Sequence, residues 1–179
     1  MQNVIFGMEA VMDSELRELL QSDHIQTVKF FAVNLLDVCE SQVDQQELLY
    51  NASVLAHYAQ VSTCSSVDFP VPANLSVVFD RFVCDKDLLY DGETLEVAGA
   101  QCLLMSGFFE NQMRCRHNIG WYSKHGTSFF IRAAARETSL PKARLLNAIA
   151  RDFEPWRKRH ARLSRDLRDR PYLLSPLAS

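Results

Sequence analysis

Long apolar runs are missing from this 179-residue chain. The most apolar early stretch, "VKFFAVNLLDVCE", is interrupted by Asn34, Asp37 and Glu40, and nothing approaches the roughly 18 apolar residues of a membrane-spanning helix. No membrane span is expected. The opening "MQNVIFGMEAVMDSE" lacks the cationic start, sustained apolar middle and small-residue cleavage site of a secretory signal, so the expected address is cytoplasmic. The cysteines are few and scattered: Cys39, Cys64, Cys84, Cys102 and Cys115 are odd in number and contain no CxxC pair. A disulfide framework and a zinc ribbon are both disfavoured, and the thiols read as reduced. The glycosylation triplets at Asn51 and Asn74 would matter only in a secreted chain.

Catalytic signatures are missing as well. The chain has no HExxH, no glycine-rich dinucleotide turn, no GxxxxGK and no GxSxG elbow, which removes the recognisable metalloproteases, dinucleotide enzymes, nucleotide hydrolases and α/β-hydrolases. A Glu-x-x-His pair, needed on facing helices of a di-iron bundle, is absent too. Cys115, His117 and His125 could offer ligands to zinc only with help from distant Cys84 or Cys102, at a spacing that matches no zinc motif. No metal and no cofactor are expected, and no residue is assigned a catalytic role.

What is present is an ordinary globular composition, 47% hydrophobic and 23% charged, in a length that suits one domain. Charge is unevenly spread. Residues 1–98 hold 4 Lys/Arg against 16 Asp/Glu, a net of −12, and residues 99–179 hold 15 against 6, a net of +9. The halves either face each other or offer a basic surface to an outside partner.

Helical spacing dominates. Phe30, Phe31, Val33, Asn34, Leu35, Val38 and Cys39 predict one broad apolar face. Asp44 then caps a longer helix carrying Leu48, Leu49, Ala52, Leu55, Ala56 and Ala59. A loop, "STCSSVDFPVPAN", precedes Asn74 as the cap of "LSVVFDRFVCDK". Residues 92–109 predict a central helix, its Gly99 and Gly107 admitting a close neighbour or a ligand. Asn118 predicts a helix to residue 136 on which Trp121, His125 and Phe129 form one row and Tyr122, Gly126, Phe130 and Ala133 the next, both inward. Ser139 and Pro141 start another with Leu145, Leu146, Ile149 and Phe153 as its stripe, ended or kinked by Pro155. The fold class is therefore all-α, a single-domain bundle of about six or seven helices spanning residues 1–179, without a sheet.

Two candidate sites follow. The joint "RCRHNIGWYSKHG" could line a small-ligand pocket, or the site of an unrecognised enzyme, with Cys102, Arg114, His117, Trp121, Tyr122 and His125. Packed core at the joint between two helices is the preferred reading of the same residues. Residues 155–170 predict a basic amphipathic helix, in which Trp156, His160, Leu163 and Leu167 form one line among Arg157, Lys158, Arg159, Arg162, Arg165 and Arg168. Trp156, Arg157, Arg159, Arg162 and Arg165 are the candidate partner-binding residues, for a protein with an acidic surface. Nucleic acid is an alternative that no motif supports, an anionic membrane surface is the weakest one because the apolar stripe is narrow, and folding back onto the acidic half of the chain is the remaining one. The apolar tail at residues 171–179 suggests a homodimer. The preferred function is an intracellular protein-interaction or regulatory module that uses the basic helix.

The segment "AGAQCLLMSGFFENQMRCRHNIGWYSKHGTSFFIRAA" resembles one found in uncharacterised bacterial all-helical proteins, where a "LFLxGFF" helix is followed by a basic pair, a paired aromatic and a Gly-x-x-x-aromatic helix. The matching elements are Leu103 to Phe109, Arg114 with Arg116, Trp121 with Tyr122, and Gly126 with Phe130. Glu110 stands where that pattern has Pro, and Cys115 separates the two arginines. The likeness covers residues 98–134 and implies a bacterial, all-helical protein. It transfers no catalytic residue.

Overall fold

The computed structural model describes residues 24–40, 42–64, 91–114 and 118–169. These form an all-α, single-domain bundle, with no strand among the described residues. In chain order the helices are α1 (residues 24–37), α2 (Gln45–Cys64), α3 (Gly92–Leu103), a π-helical turn (Leu104–Phe108), α4 (Glu110–Met113), α5 (Ile119–Arg136), α6 (Leu140–Arg151) and α7 (Phe153–Asp169). No helix is long and apolar enough to cross a membrane among the described residues.

Local chemistry sets the starts. The Asp44 carboxylate accepts from the backbone N–H of Gln46 at 2.8 Å and of Glu47 at 3.1 Å, satisfying donors that the first turn of α2 leaves open. Asp91 does the same for α3, accepting from Thr94 N at 3.0 Å and Thr94 Oγ1 at 2.6 Å. Those bonds favour the charged form and hold the Asp91 carboxyl below its ordinary pKa. Asn118 caps α5 through Trp121 N at 3.3 Å, and Ser139 with Pro141 opens α6.

Phe130, fully buried, is the centre of the core. It meets Tyr50 of α2 edge-on with ring centroids 6.0 Å apart and Phe153 of α7 at 6.2 Å. Its ring also lies over Gly99 of α3, where an added Cβ would stand 3.0 Å away. One aromatic side chain of α5 thus ties three other helices. Around it Leu95, Ala98, Cys102, Phe129, Ala133, Leu146 and Ile149 complete a dry cluster, and this burial of apolar surface is the main force holding the bundle.

Five details differ from the sequence reading. The broad face of α1 is split: Phe31, Asn34, Leu35 and Val38 are buried, whereas Phe30 and Val33 turn outward with Leu36. Similarly Leu48 of α2 is buried and Leu49 exposed. The expected loop from Ser62 begins later, because α2 runs through Cys64; the rest of that loop and the helix capped by Asn74 lie outside the described residues. On α5 only the Tyr122, Gly126, Phe130 and Ala133 row, with Phe129, is fully inward, while Trp121 is exposed and His125 half-buried. Finally, Pro155 sits in the first turn of α7, where its missing N–H has no intrahelical partner to lose, and the chain breaks one turn earlier, at Asp152.

The central helix also changes register. Phe109 N donates to Leu104 O at 2.9 Å, an i to i+5 bond that widens the helix by one residue, and Ser106 Oγ bonds back to Cys102 O at 2.6 Å. The widened turn brings Gly107 against α7. A Cβ there would lie 2.9 Å from both Arg157 O and His160 Cβ, so only glycine permits this approach. Gly126 is equally confined, since its Cβ would fall 2.5 Å from Phe153 Cζ and 2.7 Å from Cys102 Cβ.

Candidate functional site

The joint residues divide between core and surface. Cys102 and Tyr122 are buried, Arg114 and Trp121 are exposed, His125 is half-buried between the Trp121 and Phe129 rings, and His117 lies outside the described residues. Arg114 forms an ion pair with Glu110 one turn back. Burial pushes the Cys102 thiol far above its ordinary pKa, so it stays protonated and is a poor nucleophile. Burial and Lys124 lower the pKa of His125. The close approaches of Gly107 and Gly126 fill the space beside Cys102 with Phe153 and α7. No group of three or more His, Cys, Asp or Glu side chains could hold a metal among the described residues.

On α7 the line of Trp156, His160 and Leu163 is buried against the bundle, and Leu167 packs at its margin. Trp156, read from the sequence as partner-facing, instead donates its indole N–H to Glu47 Oε2 of α2 at 2.7 Å. A wide aromatic line is better hidden against the protein's own core than left in water. Arg157 is likewise drawn inward, with 11% of its side chain exposed. It grips Glu154 through Nε at 2.9 Å and Nη2 at 2.7 Å, donates from Nη1 to Ser106 O at 3.0 Å, and has Glu110 within 3.5 Å. The bond to Ser106 O ties α7 to the π-helical turn. Neither residue belongs to a free surface.

The remaining cations of α7 point outward. Arg159 lies 4.6 Å over the Trp156 ring, covering its edge by a cation–π contact. Arg162 reaches Glu40, just beyond α1, at 2.6 Å. Lys158, Arg165 and Arg168 are exposed and have no ion-pair partner among the described residues. Lys158, Arg159, Arg162 and Arg165 border a shallow concavity of about 770 Å³, together with Val38, Glu40, Pro155 and Asp166.

Sequence reasoning missed a second concavity. A groove of about 560 Å³ runs between α2 and α3, walled by Tyr50, Val54, Tyr58, Val97, Ala100 and Leu104. Its lining is mainly apolar, and Lys142 of α6 closes one end by pairing with Glu96 at 2.8 Å and Glu137 at 3.3 Å. The bond from Glu96 raises the Lys142 pKa; burial, with Glu96 beside it, pushes the Tyr50 phenol well above its usual range. Tyr50, Val54, His57 and Tyr58 do recur at helical spacing on α2. Their partners on α3 come more than thirty positions later, with no motif to link the two sets.

Compared with protein-family models, with curated proteins and with solved structures, the chain matches none.

Proposed function

We propose that the protein is a docking module that holds an acidic surface of a partner protein on the outer face of α7. The carrying observation is the row Lys158, Arg165 and Arg168, exposed and unpaired among the described residues beside the concavity bordered by Arg159 and Arg162. α7 is anchored along its whole inner line, so these cations are presented by a fixed helix and little ordering entropy opposes binding. The sequence alternatives that involve this helix meet here: its apolar line folds back on the bundle while its charges remain outside. A bacterial setting, implied by the sequence resemblance, and an intracellular one, expected from the N-terminal stretch, belong to the same proposal.

The test uses Lys158→Glu with Arg165→Glu, leaving Arg157 and Trp156 intact because they hold the fold. Fluorescence anisotropy with a labelled glutamate- and aspartate-rich peptide should show binding that weakens with salt. The double variant should bind about tenfold more weakly or worse, from roughly 1 kcal/mol per reversed charge, with unchanged helical circular dichroism. Unchanged affinity would sink the proposal, and tighter binding of single-stranded DNA or RNA would replace it with nucleic-acid association.

A second reading is favoured by the α2–α3 groove, which has the size and apolar lining of a small-molecule site. It makes the protein a carrier of an elongated apolar ligand. Ala100→Trp would fill the groove, so saturable binding of a fluorescent fatty-acid probe should disappear in that variant. Equal binding by both proteins counts against it.

A further inference from the structure

Helix α1 is apolar on two faces, and among the described residues only one of them is covered. Phe31, Asn34, Leu35 and Val38 pack inward, whereas Phe30, Val33 and Leu36 remain 49%, 58% and 51% exposed. The outer face reads Gln26, Lys29, Phe30, Val33, Leu36 and Asp37, all exposed and spaced by threes and fours. That spacing is the seam of a helix that pairs with another helix.

The order of residues along this seam is self-complementary about Val33. Three positions to either side stand Phe30 and Leu36, both apolar. Four positions to either side stand Lys29 and Asp37, opposite in charge, and neither has an ion-pair partner among the described residues. When two copies of one helix cross antiparallel at Val33, each residue meets the one equally far on the other side of the centre. Phe30 then packs on Leu36 of the second copy, and Lys29 pairs with Asp37 of the second copy, twice by symmetry. A parallel pairing would set Lys29 against Lys29 and Asp37 against Asp37, which the like charges oppose.

We infer that the outer face of α1 is a homodimer interface, in which a second copy of this chain docks antiparallel about a two-fold axis through Val33. Such an isologous contact uses one patch twice, which is what a self-complementary order of residues provides. The helical seam from Gln26 to Asp37 is about 16 Å long at 1.5 Å per residue, an interface at the small end of the stable range, so the dimer is expected to dissociate at roughly micromolar concentration. The inference does not depend on what α7 holds.

Sedimentation equilibrium of the full chain from about 1 to about 200 μM tests it, with circular dichroism as the check on folding. Wild type should pass from monomer to dimer across that range, and Val33→Glu should stay monomeric, its glutamate being forced against its own copy. Lys29→Glu alone and Asp37→Lys alone should each weaken the dimer about tenfold or more, because each leaves two like-charged contacts per interface. Lys29→Glu combined with Asp37→Lys should restore it, since the pair is exchanged rather than lost. A monomer at all concentrations, as expected if another segment of the same chain or a different protein covers α1, overturns the inference. So does a dimer that the double exchange fails to restore.

Discussion

Replacing Trp156 with alanine should cost about 3–5 kcal/mol of folding stability, the range for truncating a large buried aromatic side chain, and could abolish the folded state. Trp156 is fully buried, and its indole N–H reaches Glu47, which is itself buried. Truncation therefore opens a cavity under α7 and also strips Glu47 of its nearest donor. Arg151, 3.7 Å from Glu47 and largely exposed, is a poor substitute. Trp156→Phe separates the two effects. It keeps most of the apolar volume and loses the N–H, so its cost should be the smaller one of leaving a buried acceptor unpaired, about 1–3 kcal/mol. Urea unfolding followed by circular dichroism should rank wild type above Trp156→Phe and Trp156→Phe above Trp156→Ala. Adding Glu47→Leu to Trp156→Phe should recover part of the loss, because an apolar pair needs no hydrogen bond. If Trp156→Phe is as stable as wild type, the Glu47 bond contributes nothing and the anchoring of α7 is purely apolar.

The position of Trp156 shows where the sequence was readable and where it stopped. A line of Trp156, His160, Leu163 and Leu167 at fours and threes identifies a helix and its apolar side, because that periodicity follows from 3.6 residues per turn. It does not say what the side faces. The same ambiguity explains α1, where Phe30 and Phe31 are chemically alike yet one is half-exposed and the other buried; a local pattern cannot tell which of two apolar faces the bundle covers. Caps were readable at Asp44 and Asn118 because they act within one turn, and the start of α6 was readable from Ser139 with Pro141. The π-helical register shift was not, since Ser106 and Gly107 also suit an ordinary helix, and their reason for being there lies on α7, fifty positions away. The outward cations of α7 were partly legible from charge alone. Arg157 was not distinguished from them, because its acceptor at Ser106 exists only after the helices pack.

His160 should make the fold sensitive to acid. The side chain is fully buried, and both ring nitrogens lack a hydrogen-bond partner among the described residues. Burial disfavours the imidazolium and takes the pKa from 6.5 down to about 3. The unfolded chain then binds a proton near pH 6.5 that the folded chain refuses until about pH 3, so the stabilising difference is complete above pH 6.5 and is lost as pH falls through this window. At about 1.36 kcal/mol per unit, lowering the pH from about 7 to about 4 should remove roughly 3 kcal/mol. His160→Leu should flatten this part of the profile. It should also stabilise the protein at pH 7 by about 1 kcal/mol, since two buried polar atoms without partners are replaced by carbon. The carboxyls of Asp91, Glu137 and Glu154 are held below their ordinary pKa by hydrogen bonds and add their own loss of stability in acid. They do so in both proteins, so the difference between the two curves isolates the histidine. Urea midpoints that fall equally in wild type and His160→Leu between about pH 7 and about pH 5 would mean that His160 takes up its proton inside the fold. Room for a water molecule or a counter-charge beside the buried imidazole would then be required.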